Sequence, residues 1–156
     1  MWRRLQENLT VRQVLAIVGD IVIVIALLVP WIYGLSPPTG ANHEVNVVAA
    51  PNLFDLALHS NYGYLLVVPL SLVPGVIFSI LPNRKRGPEL VIMITAFLLA
   101  FVPSFDFGSQ FGAAFDLILN GNVVSYALVL GPGSRLMEVG NALYFICFFI
   151  VLLSED

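Results

Sequence analysis

Apolar positions along this chain gather into four runs, 14–33, 62–81, 90–102 with some extension into Phe105, and 136–153. A helix that crosses the hydrocarbon core of a bilayer needs about 20 mostly apolar residues, with a lower limit near ~17. The third run is short, and it gains length by borrowing Pro88 and Glu89 at its start. Proline suits the first turn of a helix, and a carboxylate complements the positive end of its dipole. The pattern predicts four spanning helices joined by two large loops, about 34–61 and 104–134, and by a short turn, 82–88. The first run is too long for the apolar core of a signal peptide and ends in Pro-Trp-Ile-Tyr-Gly, so it reads as a retained helix.

The polar punctuation repeats. Phe54-Asp55-Leu56-Ala57-Leu58-His59-Ser60-Asn61 and Phe115-Asp116-Leu117-Ile118-Leu119-Asn120-Gly121-Asn122 share Phe, Asp, two Leu and Asn in register, and a Val-Pro pair closes the apolar run ahead of each. The chain thus reads as two tandem helix–loop–helix repeats, about 14–81 and 89–153, within one membrane domain. In each copy the Asp is expected to cap a helical turn by accepting from the following amides, with the Leu residues buried and the closing Asn in a left-handed position. A second reading makes Asp55 and Asp116 a pseudo-symmetric pair that holds a cation or a partner. For the second copy, Asn120-Gly121 between apolar flanks also fits a hairpin turn.

Composition agrees with the membrane class. Apolar residues make up 58% of the chain and charged residues 11%, where soluble proteins carry about 25% charged residues, and the mean hydropathy is +0.90. A net charge of −3 without a basic face excludes nucleic acid as a partner. The single cysteine, Cys147, lies in an apolar run and reads as a packing residue. Arg3, Arg4 and Arg12 precede the first helix, Arg84, Lys85 and Arg86 occupy the short turn, and Arg135 alone lies on the opposite side. Basic residues of short loops remain in the cytoplasm, so both termini are assigned there. The two large loops, rich in aromatic and β-branched residues, are assigned to a structured extracytoplasmic cap. Ser134 is the expected N-cap of the fourth helix, with Arg135 and Glu138 able to pair three residues apart.

Three features inside the spans carry candidate chemistry. Asp20 lies about 9 Å in from Val14 at ~1.5 Å per residue, and an ionisable group at such a depth costs at least ~2.5–3.5 kcal/mol. Its expected partner is the Arg84–Arg86 cluster at the cytoplasmic interface, with ion or proton transport, or contact with a partner subunit, as the alternatives. Ser71, Gly75 and Ser79 recur every four residues and form a close-approach face for another helix, of this chain or of a partner; Pro69 and Pro74 are expected to kink that helix. Tyr144, Phe145, Phe148 and Phe149 form an aromatic cluster suited to filling the bundle or to contact with lipid, pigment or quinone.

No nucleophile–base pair, phosphate-binding glycine loop or HExxH stretch occurs, and His43 and His59 both fall in loops. The expectation is therefore a protein without catalysis and without a cofactor or metal of its own. In outline (cytoplasmic ends, four spans, two outer loops) the chain is similar to claudin-like tetraspan proteins. Its first loop has neither the Trp nor the Cys pair of that family, so no residue role is carried over. These readings lead to an all-α, four-transmembrane-helix bundle in the plasma or cytoplasmic membrane. The expected function is an accessory or scaffold subunit of a larger membrane assembly, respiratory or photosynthetic, whose partners are the bilayer and other integral subunits rather than a soluble small molecule. The alternative is a small homo-oligomeric transporter or channel that uses Asp20 and the loop carboxylates.

Overall fold

A computed structural model describes residues 10–35, 46–80, 86–109, 117–119, 122–124 and 127–154. Four helical segments are long and apolar enough to cross a membrane: Val11–Leu28, Gly63–Ile80, Arg86–Gly108 and Pro132–Leu153. The protein is a mostly helical multi-pass membrane protein of four spans. The first span is α1 (Val11–Leu28), opened by a capping box in which Thr10 and Gln13 exchange hydrogen bonds. A short helix, α2 (Leu53–His59), precedes the second span. That span starts as a 3₁₀ helix, Gly63–Ser71, and continues as α3 (Leu72–Ile80). The third is α4 (Arg86–Ser109) and the fourth α5 (Pro132–Leu153).

Most boundaries differ from the apolar runs at polar ends. α1 begins before the run at Val14 and α4 before the borrowed Pro88, because Arg12-Gln13 and Arg86-Gly87 are helical although they interrupt the hydropathy. Pro30 follows the end of α1 as expected, but Pro103 sits inside α4, which runs on to Ser109. In the second span Pro69 lies within the 3₁₀ segment and Pro74 in the first turn of α3. A 3₁₀ helix is tighter than an α-helix and rarely runs beyond ~3–4 residues, so this long stretch is the form that the proline-interrupted ladder takes here.

Two sets of contacts show that the spans alternate in direction. At the end that holds Thr10 and Ser154, Arg12 pairs with Glu89 at 2.6 Å. There too, Gln13 Nε2 donates to Ser79 O at 3.5 Å, Cys147 Sγ donates to Arg12 O at 3.2 Å, and the Arg86 guanidinium donates to Leu152 O. At the other end the chain forms β1 (Ile32–Leu35), β2 (Val47–Ala49) and β5 (Ala127–Leu130), an antiparallel sheet in the order β2-β1-β5, with Ile32 opposite Leu130 and Leu35 opposite Ala127. β3 (Leu117–Leu119) and β4 (Asn122–Val124) form a separate hairpin.

Hydrocarbon offers no hydrophobic drive between helices, so spans associate through close backbone approach and interhelical hydrogen bonds. The buried face of α1 accordingly carries Ala16, Gly19, Asp20, Ile23 and Ala26, and that of α4 carries Met93, Ala96 and Ala100. The outward faces are covered with exposed Val, Ile, Leu and Phe, as lipid contact requires.

At the sheet end Trp31 is fully buried. Its indole donates to Ala26 O at 2.7 Å, its backbone N–H donates to Pro51 O, and its carbonyl accepts from Gly131 N at 2.7 Å. Gly133 N donates to Pro30 O at 2.8 Å, which supplies a partner for an amide in the first turn of α5 that has none within its own helix. The β1–β5 pairing thus continues directly into the α1–α5 contact. A Cβ on Gly133 would fall on Trp31 Cδ1 and within 2.8 Å of Val29 O. The Gly133→Ala protein is expected to lose about 1–3 kcal/mol of stability, read as a lower unfolding midpoint in detergent, whereas Ala at the open position Gly87 should leave it unchanged.

Candidate functional site

Asp20 is ten residues into α1 and so stands near the middle of that helix, about 13.5 Å past Val11 at ~1.5 Å per residue. Among the described residues of the Arg84–Arg86 cluster, Arg86 is bound to Leu152 O and not to Asp20, while Arg84 and Lys85 lie outside the described residues. Asp20 is instead 8% exposed, and its Oδ1 accepts a hydrogen bond from the Tyr144 hydroxyl of α5. The carboxyl thus meets a donor inside the bundle and not a cation at its edge.

The second span completes the site with Ser71 and Gly75. A Cβ on Gly75 would clash with Asp20 Oδ1 and lie 2.5 Å from the Tyr144 hydroxyl. The glycine is therefore what allows α3 to close over the pair. Ser71 is fully buried, and its Oγ stands beside the Tyr144 phenol without a hydrogen bond of its own. Gly19 and Gly140 serve the α1–α5 crossing in the same way. A Cβ on Gly19 would lie 3.0 Å from the Tyr144 ring, and one on Gly140 would lie 2.6 Å from Ile23 Cγ1. The Ser71–Gly75–Ser79 face is thus occupied by α1 and α5 of the same chain, with Ser79 O accepting from Gln13.

Sequence reasoning grouped Tyr144 with the phenylalanines around it and so missed the partner of Asp20. The available signal was the hydroxyl. A tyrosine in the middle of a span needs a hydrogen-bond partner that a phenylalanine does not, and Asp20 was the one acid well inside an apolar run.

The loop residues divide. Asp55 is the third residue of α2, and the N-cap is Asn52: Asn52 Oδ1 accepts from Asp55 N at 3.0 Å while Asp55 Oδ2 accepts from Asn52 N at 3.2 Å. Asp55 is therefore the reciprocal half of a capping box and not the cap itself. Leu53 and Leu56 are buried, Phe54 packs against the core, and Leu58 is exposed. The helix closes at Ser60 in extended backbone, one residue before Asn61. Phe115 and Asp116 lie outside the described residues. Where the first copy continues as helix, the second is a hairpin, with Asn122 opposite Leu119. The physical reason is local: β-branched Ile118, Val123 and Val124 flank Asn-Gly, whereas the first copy has Ala57 and His59. At the fourth span the N-cap is Gly131 with Pro132 as the first helical residue; Ser134 lies inside the helix and donates to Gly131 O at 2.9 Å. Arg135 and Glu138 pair at 3.5 Å on the exposed surface.

A separate cavity of about 770 Å³ lies between α4 and α5 towards the sheet end. Its walls are aromatic, with Trp31, Phe97, Phe101, Phe105 and Phe145 among them, and Asn141 of α5 also lines it. Among the described residues no group of three His, Cys, Asp or Glu side chains is placed to hold a metal ion. No protein-family model, curated protein or solved structure matches the chain.

The Asp20–Tyr144 pair needs an acceptor rather than a charge. Asp20→Asn keeps an acceptor for the Tyr144 hydroxyl and is expected to leave the unfolding midpoint unchanged or higher. Gly75→Ala intrudes on both groups and should lower stability by about 1–3 kcal/mol in the same denaturation measurement.

Proposed function

We propose that the chain is a non-catalytic accessory or scaffold subunit of a larger integral-membrane assembly, of the energy-transducing kind (respiratory or photosynthetic). The observation that carries this reading is the use made of the polar side chains inside the bundle. Asp20, Arg12, Glu89 and Gln13 each tie one span to another of the same chain. Such groups serve rigidity. A transport role for Asp20 requires it on a water-filled path, and it is buried against Tyr144 and Gly75.

Under this proposal the charge bias sets both termini in the cytoplasm. The sheet, α2 and the hairpin then form an extracytoplasmic cap over two tandem helix–loop–helix units. The small-residue face is taken up within the chain, so docking to another subunit falls to the lipid-facing side, where the aromatic rings of α5 stand out. Phe145 and Phe149 are 45% and 41% exposed, with ring centroids 4.8 Å apart. Large, rigid aromatic side chains are the usual anchors of an interface.

Solubilisation of the native membrane in mild detergent tests the proposal. The chain is expected to migrate within a larger particle containing other integral polypeptides, and Phe149→Ala should release it without lowering its own unfolding midpoint. A monodisperse protein that copurifies with nothing would overturn the reading.

A further inference from the structure

The cavity between α4 and α5 combines three properties that together specify a ligand. Its α4 wall is a ladder of flat rings: Phe97 and Phe101 stack at 4.9 Å and 17°, Phe101 and Phe105 at 5.4 Å and 24°. Phe145 of α5 faces Phe97 at 5.4 Å. Phe105 and Phe145 are also exposed on the outside of the bundle, so the cavity opens sideways to lipid. Next, Asn141 lines it, is 94% buried, and its Oδ1 has no hydrogen-bond partner. An amide carbonyl left unpartnered in an apolar medium is costly, and the terminal torsion of an amide turns easily, so either its oxygen or its nitrogen can be brought to a bound group. Finally, among the described lining residues the only charged side chain is Glu138, already paired with Arg135 at the rim.

From these we propose that the cavity binds the uncharged ring head of a quinone-class lipid, with its tail lying outwards along α4 and α5. The flat ring slots against the phenylalanine ladder in offset or edge-on contact. A ring carbonyl accepts from the Asn141 amine in the oxidised form, and a ring hydroxyl donates to Asn141 Oδ1 in the reduced form. An anionic phospholipid head finds no cation among the described lining residues, and a bare hydrocarbon chain leaves Asn141 unsatisfied; neither matches the walls. The volume lies within the roughly 300–1,000 Å³ of ordinary ligand pockets. This site shares Phe145 with the proposed docking face, and its test on the isolated chain separates its outcome from that of the accessory role.

Trp31 lies in the cavity wall, and the chain contains two tryptophans. With Trp2→Phe as background, the full-length protein in quinone-free phosphatidylcholine nanodiscs is titrated with a decyl-substituted benzoquinone while Trp31 fluorescence is read. Saturable quenching is expected. Asn141→Leu should weaken it roughly ten-fold, as loss of one buried hydrogen bond does. The exposed Ala142 also lines the cavity, and Ala142→Phe should fill the space and abolish the saturable component at an unchanged unfolding midpoint. Phosphatidylglycerol in the nanodisc should not displace the quinone. Quenching that rises linearly without saturation, that is the same in Ala142→Phe, or that phosphatidylglycerol removes would overturn the assignment.

Discussion

A carboxyl group halfway along a membrane helix must find a partner within the protein, and in this chain the partner sets how three of the four spans meet. Asp20 of α1 receives the Tyr144 hydroxyl of α5, and Gly75 of α3 closes over both because it has no side chain to intrude. The cost of a charged group at such a depth, about 2.5–3.5 kcal/mol at least, makes an unpaired arrangement the unfavourable alternative. The helix crossing follows from this. Gly19 and Gly140 bring α1 and α5 close enough for the hydroxyl to reach the carboxyl, and Ala96, Ala100 and Met93 let α4 complete the interior.

Either side of that joint, other polar contacts hold the ends. Near the chain termini the Arg12–Glu89 pair and the bonds from Gln13, Arg86 and Cys147 link all four spans. At the opposite end the β1–β5 ladder runs into the first turn of α5 through Gly131 and Gly133, with Trp31 buried beneath it. Polar groups thus lock the bundle at three heights. Asn141 lies between the central joint and the sheet end, and its unsatisfied carbonyl lines an aromatic cavity of about 770 Å³, whereas Gly75 packs directly on the Asp20–Tyr144 joint; the space for a ligand is at the cavity.

Much of this was legible in the residues, and what was not has physical causes. Hydropathy located all four spans, since only length and apolarity decide them, yet it began α1 and α4 late because Arg12, Gln13 and Arg86 are helical residues with polar side chains. Asp20 stood out as an intramembrane acid, but α1 starts at Val11, and the earlier start carries Asp20 to mid-helix, where Tyr144 meets it. The Phe-Asp-Leu likeness was real in sequence and did not extend to conformation. Asn52 with Asp55 caps a helix, whereas β-branched flanks around Asn120-Gly121 favour a hairpin. The three-stranded sheet joins Ile32 to Leu130, residues far apart in the chain, and strand pairing at that separation depends on tertiary context rather than local preference.

The most direct test is the energetic coupling between Asp20 and Tyr144, taken from unfolding of Asp20→Ala, Tyr144→Phe and the double variant in detergent. Each single change should destabilise, because it leaves the other group buried and unpartnered, and the double variant should be no worse than either, with a coupling of about 1–3 kcal/mol. Strictly additive losses, with no coupling, would contradict the central place given to this pair.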